Sequence, residues 1–200
     1  AANLTTDTIT KSNTGTLTVD TSAAALTTTL DTSKVAADLI KVQATNNAAA
    51  ISAKSGQSFE VSADASSATL TVGVATDGSA DTLKLKLTSA AYTTLSNAAK
   101  DIETLTIEAA AAQATGAATN VDLTITTLVA GDNKVVLTGT NDVEIKAVTA
   151  KEIDASALNG TLKVGDTTAV TAGVIAGATG VNTIKFGAVA ADKSVTFVGQ

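Results

Sequence analysis

The sequence has no Cys, Met, Pro, His or Trp, and all 13 of its basic residues are Lys. Without His or Cys there can be no Ser-His-Asp or Cys-His nucleophile pair and no zinc site of the usual nitrogen and sulfur type. Haem centres and thiol redox centres are excluded for the same reason. Because no disulfide can form, packing and backbone ladders must stabilise the fold.

Aromatic residues are also scarce, at 2% of the 200 residues, and the net charge is -6. We expect no nucleic-acid partner, because Arg is absent and few side chains could stack on bases. Carboxylate pairs such as Glu103 with Glu108, or Glu144 with Glu152, could in principle hydrolyse glycosides. That chemistry usually needs a cleft lined with aromatic residues, so we expect that the protein is not an enzyme.

No stretch of the sequence has the length and apolar character of a signal peptide or a membrane span. We therefore expect no membrane insertion. The chain opens on AANLTT without an initiator Met, which favours a segment of a longer protein. Chains without Cys are common among exported bacterial surface proteins.

Short alternating runs recur along the chain, in which the 37 Thr and 40 Ala together exceed a third of the residues. Branched Thr suits a pleated strand surface, whereas small Ala suits tight turns and thin cores. Each run places apolar side chains on one face and Thr or Lys on the other, which is the pattern of a half-buried strand. Strands are predicted to start near residues 16, 69, 82, 104, 122, 134, 143, 161, 183 and 195.

Many short strands are typical of sandwiches, barrels and solenoids. We predict an all-β fold, an elongated parallel β-solenoid with short strands in which each coil hydrogen-bonds to the next. Coils of about 20 residues would give roughly ten coils and a body about 48 Å long, at about 4.8 Å per strand. The alternative is a tandem pair of antiparallel β-sandwich domains.

An internal repeat appears when residues 16–42 are set over residues 82–107, because both read as strand, small-residue connector and strand. The second connector has Ala91, Leu95 and Ile102 at helical spacing, which predicts a short helix across the end of a sheet. We divide the chain into a Thr/Ala-rich β-repeat region and a β-solenoid-like region with a degenerate β-roll turn, although one continuous body also fits. The two regions are residues 1–112 and 113–200.

The segment KEIDASALNGTLKVG, residues 151–165, bears on the choice of fold. Asn159-Gly160 between two strand-like runs is a signature of a two-residue hairpin turn. The same step also fits a solenoid corner, with residues 153–164 as two sides of one coil and Gly160 at the corner. We favour the corner over the hairpin.

Two turns hold oxygen ligands close together and are the candidate Ca²⁺ sites. AGDNK contains Asp132 and Asn133, and GTNDV contains Asn141 and Asp142. Carboxylate and amide oxygens bind Ca²⁺, and an acidic chain suits a cationic counterion. Asn and Asp in turns usually bond their own backbone instead, so both interpretations stay open.

The segment GATGVNTIK, residues 177–185, follows the calcium β-roll nonapeptide G-G-x-G-x-D-x-U-x at Gly177, Gly180 and Ile184. Ala178 stands in place of the second Gly, and Asn182 stands in place of the Asp. The turn geometry is kept while the carboxylate is lost. A purely structural turn is therefore favoured here over a Ca²⁺ site.

The run VEIKAVTAKEIDASALNGTLKVG, followed by GATGVNTIKFG, resembles the paracrystalline surface-layer proteins of Gram-negative bacteria, of the Caulobacter and Campylobacter type. Those proteins repeat a phrase x-I-D-A-S-A-L-x-G-x-L-x-V before a glycine-aspartate β-roll turn, and DIETLTIEA at residues 101–109 is similar to another recurring phrase. The first phrase is matched by Ile153, Asp154, Ala155, Ser156, Ala157, Leu158, Gly160, Leu162 and Val164. The resemblance covers residues 81–200 well and the first 80 by composition and repeat.

The resemblance implies type I secretion, a relation to calcium β-roll proteins, and assembly on the cell surface with Ca²⁺. It predicts a structural building block of a self-assembling bacterial cell-surface lattice, or S-layer, in an extracellular location. The expected partners are neighbouring copies in the lattice and, through other parts of the parent chain, cell-surface polysaccharide. The alternative is an adhesin or binding segment of a large type I secreted surface protein.

Overall fold

The protein is an all-β parallel solenoid with short strands, as the sequence predicts. It has about seven turns, so the prediction of roughly ten coils is wrong. The computed structural model describes residues 9–12, 14–23, 25–45, 49–63, 68–97, 101–110, 122–165, 170–185 and 196–199. Within these ranges every regular element is a strand, and every pairing between named strands is parallel. The antiparallel sandwich that was the alternative fold is therefore not the fold of this chain.

In the described parts of the chain, sixteen strands, numbered in chain order, form one continuous sheet. Their bounds are β1 Thr18–Asp20, β2 Thr29–Asp31, β3 Leu39–Ala44, β4 Ala49–Ala53, β5 Ser58–Ala63, β6 Thr69–Val74, β7 Thr82–Leu87, β8 Ala91–Asn97, β9 Thr104–Ala109, β10 Leu123–Val129, β11 Lys134–Gly139, β12 Val143–Leu158, β13 Leu162–Val164, β14 Val170–Ala176, β15 Asn182–Ile184 and β16 Thr196–Val198.

The strands alternate between two ladders. The odd ladder stacks β1, β3, β5, β7, β9 and β11, and the even ladder stacks β2, β4, β6, β8 and β10. The long strand β12 joins both, because its first half pairs with β10 and its second half pairs with β11. Each coil therefore contributes one strand to each ladder, and the two ladders enclose the core between them.

The core consists of apolar side chains stacked in register from coil to coil. One column in the odd ladder runs Ile40, Phe59, Leu85, Ile107 and Leu137, and each of these residues is at most 1% exposed. The alternation of apolar and polar residues sends every second side chain inward, which is why a strand period of two fits this fold. Each buried Leu or Ile contributes about 1.5 to 3 kcal/mol of burial free energy, so a thin core suffices.

The coils are unequal in length, whereas the sequence predicts coils of uniform length. Lys134 pairs with Glu152 in the next coil and with Thr104 in the previous coil, so the coil that ends at Lys134 is much longer than the coil that begins there. Strands β9 and β11 both have six residues, so the difference in coil length falls outside these two strands. Corner insertions leave the ladders in register because loop closure costs rise only slowly with length.

The predicted division at residue 112 lies outside the described residues, because these stop at 110 and resume at 122. The strands that precede and follow this point pair directly. β8 pairs with β10, and β9 pairs with β11. The sheet therefore runs across the position of the division.

The Asn159-Gly160 step is a solenoid corner, as we favoured. The segment Leu162–Val164 pairs in parallel with Val143–Ile145 of the previous coil, whereas a hairpin would pair it with the end of β12. A Cβ atom at Gly160 would overlap the backbone of Asn141, in the corner of that previous coil. Gly is required here because two backbones approach closely.

The helix predicted from Ala91, Leu95 and Ile102 is wrong for residues 91–97, which form strand β8. Tyr92 and Leu95 both point inward although they are three residues apart. The neighbouring strand β10 has the same three-residue spacing at Ile125 and Leu128, in register with Tyr92 and Leu95. The same departure from strict alternation in both strands thus gives their buried residues a helix-like spacing.

The repeat of strand, connector and strand also needs correction. The connector of the first copy contains β2, and the connector of the second copy contains β8. Both belong to the even ladder, opposite the strands that flank them. The repeating unit is therefore a full coil with strands on two faces.

Candidate functional site

The two candidate calcium turns lie at opposite ends of one strand. Asp132 and Asn133 precede β11, whereas Asn141 and Asp142 follow it. Because β11 has six residues, the two turns are about 20 Å apart at about 3.3 Å per residue. The structure thus keeps the four candidate residues as two separate pairs.

Asp142 links its corner to the corners of both neighbouring coils. Its Oδ1 atom accepts a hydrogen bond from the Thr161 amide at 2.6 Å. The Asp142 amide in turn donates to Oδ2 of Asp122 at 3.3 Å. Each carboxylate therefore accepts from a backbone amide of the next coil, a contact between coils that differs from the bond to the residue's own turn considered in the sequence analysis.

The Asp132 and Asn133 turn is held by backbone contacts. The Asn133 amide donates to the Ala130 carbonyl at 3.2 Å, and the Lys151 amide donates to the Asn133 carbonyl at 3.0 Å. Asp132 is exposed at the tip. Across the described ranges, no group of three or more His, Cys, Asp and Glu side chains is arranged to hold a metal ion.

The Asn182 side chain closes the β-roll-like corner by itself. Its Oδ1 atom accepts from the Ala178 amide at 2.8 Å, and its Nδ2 atom donates to the carbonyls of Ala178 at 2.9 Å and Gly180 at 3.0 Å. Loop carbonyls of this kind are potential cation ligands. Here the side-chain N–H groups of Asn182 donate to the carbonyls of Ala178 and Gly180.

The carboxylate pairs considered for glycoside hydrolysis are engaged in contacts between coils. Glu108 contacts Lys84 at 2.7 Å, and Glu144 contacts Lys163 at 2.5 Å. Glu103 accepts a hydrogen bond from the Asp81 amide at 2.6 Å. Glu144 and Glu152 lie in the first and second halves of β12, and these halves belong to different ladders.

A column of alternating charge runs along the odd ladder, and the sequence alone did not reveal it. Strand register places Asp20, Lys41, Glu60, Lys86 and Glu108 side by side in successive coils. Glu60 contacts Lys41 and Lys86, both at 3.1 Å. Because opposite charges face each other across strands, the column favours this register over a slipped one.

Asp154 has the strongest resolved carboxylate perturbation in this ladder. Hydrogen bonds from Lys134 at 2.8 Å and from the Ser156 hydroxyl at 2.6 Å lower the pKa of Asp154 to about 2. Lys134 also contacts Glu152 at 2.8 Å, and the two acidic partners raise the pKa of Lys134. The resulting cluster joins β11 to the second half of β12.

An acidic corner was not anticipated from the sequence. Burial raises the pKa of Asp101, and the negative charges of Asp77, Glu103 and Asp81 add to the increase. The sequence contains a signal for this corner, because Asp81 and Glu103 immediately precede Thr82 and Thr104, which pair with each other. Residues one coil apart become neighbours. The number of residues that separates them in the sequence is known only when the strand register is known.

A shallow hollow of about 360 Å³ lies at a corner of the solenoid. Lys54 is the ionisable side chain among the residues that line it, which are Ser33, Ala53, Lys54, Ser55, Ala75 and Thr76. The hollow therefore offers no pair of carboxylates for general acid and base chemistry. None of the described segments is a helix with the length and apolar character needed to cross a membrane.

Comparison with protein-family models, curated proteins and solved structures found no match to this chain. The resemblance to surface-layer proteins therefore stays a prediction from short sequence phrases. The assignment of a parallel solenoid depends only on the strand pairing described above.

Proposed function

We propose that this chain is a structural segment of a self-assembling layer on a bacterial cell surface. The observation that carries the proposal is that ion pairs join neighbouring coils all along the described part of the chain, from Lys11 with Asp38 to Lys163 with Glu144. Charged side chains are thus used to build an extended body and leave broad strand faces as its main surfaces. Such a body suits a role that depends on shape and surface contacts.

The proposal includes Ca²⁺ as a cofactor of assembly, as the resemblance implies. The corner with Asp132 and Asn133 and the corner with Asn141 and Asp142 are the candidate sites. Ca²⁺ takes about six to eight oxygen ligands, so a pair of side chains would need backbone, water or neighbouring molecules to complete the shell. The location is extracellular, with copies of the chain as partners and cell-surface polysaccharide contacted by other parts of a parent protein.

Electron microscopy of the parent protein, with and without a chelator, tests this function. We expect ordered two-dimensional sheets in Ca²⁺ and their loss when the chelator is added. An adhesin would instead stay monomeric and bind a ligand on host or neighbouring cells. Failure to form any calcium-dependent sheet would overturn the proposal.

A further inference from the structure

The two ladders differ sharply in charge. Strands β4, β6, β8 and β10 of the even ladder contain no charged residue at all. The neighbouring odd-ladder strands β3, β5, β7 and β9 contain five, namely Lys41, Glu60, Lys84, Lys86 and Glu108. We call the outer surface of β4, β6, β8 and β10 the uncharged face.

Hydroxyl side chains make up the centre of the uncharged face. Register stacks Thr69, Thr94 and Thr127 in one column, and Thr71 with Ser96 in a second column. These side chains are half-buried, while the residues between them, such as Leu70 and Leu95, are fully buried in the core. The centre of this surface is therefore an array of small hydroxyl and methyl groups.

Charged residues border the uncharged face at both ends. Asp31 of β2 stands beside Ser52 of β4, and Glu144 of β12 stands beside Thr124 of β10. Protein interfaces are depleted of charge at their centre and polar at their rim. The distribution of charge on this side of the solenoid follows that pattern.

We propose that the uncharged face is the contact surface for a second copy of this chain, packed face to face. In a two-fold interface the same patch meets itself, so charged groups near the axis would face like charges. A Thr or Ser hydroxyl both donates and accepts hydrogen bonds and is therefore complementary to its own copy. The net charge of -6 opposes association of two copies in general, and the uncharged face adds no like charges of its own to that repulsion.

The size of the uncharged face predicts a weak contact. Four strands at about 4.8 Å and about six residues at about 3.3 Å give roughly 400 Å² per copy. The total of roughly 800 Å² lies below the range of about 1,200 to 2,000 Å² for stable complexes. Many such contacts in an array would still hold molecules together, because linked contacts act cooperatively. This inference rests on the proposed function and names the partner and the surface.

Sedimentation equilibrium of the chain tests the contact. We expect reversible self-association of the wild type, with an apparent association constant that Thr94→Glu lowers at least tenfold. Thr106→Glu is the matched control, because Thr106 is also half-buried in mid-strand but lies in β9 of the odd ladder. Thr106→Glu should change the apparent association constant less than twofold. A monomeric wild type, or equal effects of the two variants, would overturn the inference.

A second measurement covers the case in which a Glu variant does not fold. The chain has no Cys, so a single introduced Cys reports which surfaces meet. Under mild oxidation we expect Thr94→Cys to give disulfide-linked dimers much faster than Thr106→Cys. Equal rates for both variants would contradict a contact through the uncharged face.

The two proposals can fail independently. Sheets that form normally from a parent protein carrying Thr94→Glu would refute the contact surface and leave the surface-layer function standing. Rapid cross-linking of Thr94→Cys without any sheets in Ca²⁺ would refute the layer and support the contact.

Discussion

At the scale of single residues, carboxylates stabilise the contacts between coils. Lys134 holds the pKa of Asp154 at about 2, below its usual value of 3.8. A lowered pKa gives stability that is present above the unfolded value and is lost as the pH falls towards about 2. We expect Asp154→Asn to lower the free energy of unfolding at pH 7 by about 1 to 2 kcal/mol. Denaturant titrations at several pH values should show this difference vanishing between about pH 4 and 2.

Asp20→Asn is the control for this effect. Asp20 makes the same turn to a Ser two residues on, with its Oδ1 atom accepting from the Ser22 amide at 2.9 Å. Its hydrogen bonds to Ser22 are the main cause of its lowered pKa, without a Lys hydrogen bond of the kind that Asp154 receives. A smaller effect is expected, and a pH-independent loss at Asp154 would contradict the prediction.

Close backbone approach at a corner makes a second residue sensitive to substitution. A Cβ at Gly160 would overlap the backbone of Asn141 and come within 2.9 Å of the Asp142 amide nitrogen. We expect Gly160→Ala to reduce the free energy of unfolding by about 1 to 3 kcal/mol, the usual cost of overpacking. Gly199→Ala is the control, because its nearest neighbour would be a Phe197 side-chain atom at 3.8 Å. Equal stability of the two variants would argue against a close-packed corner.

At the scale of elements, we expect that one substitution at the Asn182 corner makes the thermal stability of the protein depend on Ca²⁺. Asn182→Asp removes the two donations from Nδ2 and supplies a carboxylate beside the carbonyls of Ala178 and Gly180. We expect a loss of about 1 to 2 kcal/mol in the absence of metal, from the lost hydrogen bonds. Added Ca²⁺ should restore thermal stability to this variant. Thermal unfolding with and without Ca²⁺ measures both effects.

Asn182→Ala separates the metal effect from simple loss of the hydrogen bonds. It removes the same contacts and offers no carboxylate, so Ca²⁺ should not restore its stability beyond any change seen in the wild type. Recovery of both variants to the same extent would contradict the expected metal site.

The strand β8 shows why element type could not always be predicted. Most alternating runs became strands near the expected positions, as with Thr82–Leu87. In β8 the inward residues Tyr92 and Leu95 are three apart, and the sequence pattern alone then favours a helix. Hydrogen bonding to β6 and β10 decides the matter, because both ladder neighbours are strands. Local spacing carries no information about such partners.

At the scale of the whole molecule, stability should be transmitted mainly between adjacent coils. Leu105 is fully buried between Leu83 of β7 and Val135 of β11. We expect Leu105→Ala to lower the free energy of unfolding by about 2 to 5 kcal/mol. Hydrogen exchange should accelerate most in β7, β9 and β11 and little in β3, because each repeat contacts only its neighbours.

Val198→Ala is the control for position in the solenoid. Val198 is 48% exposed in β16, so its truncation should change stability little. Uniform acceleration of exchange throughout the sheet by Leu105→Ala would show that the solenoid opens as a single unit.

The sequence by itself determined the all-β class and favoured the parallel solenoid and the corner at Gly160, because alternation and turn residues are local properties, and strand pairing decided both of the favoured choices. It also predicted Asp132, Asn133, Asn141 and Asp142 as candidate calcium ligands in two turns with a strand between them, and β11 is that strand. Only the tertiary structure decided the register. The unequal lengths of the coils set which side chains become neighbours, and that offset has no local signature. The charged column, the acidic corner and the uncharged face all follow from it.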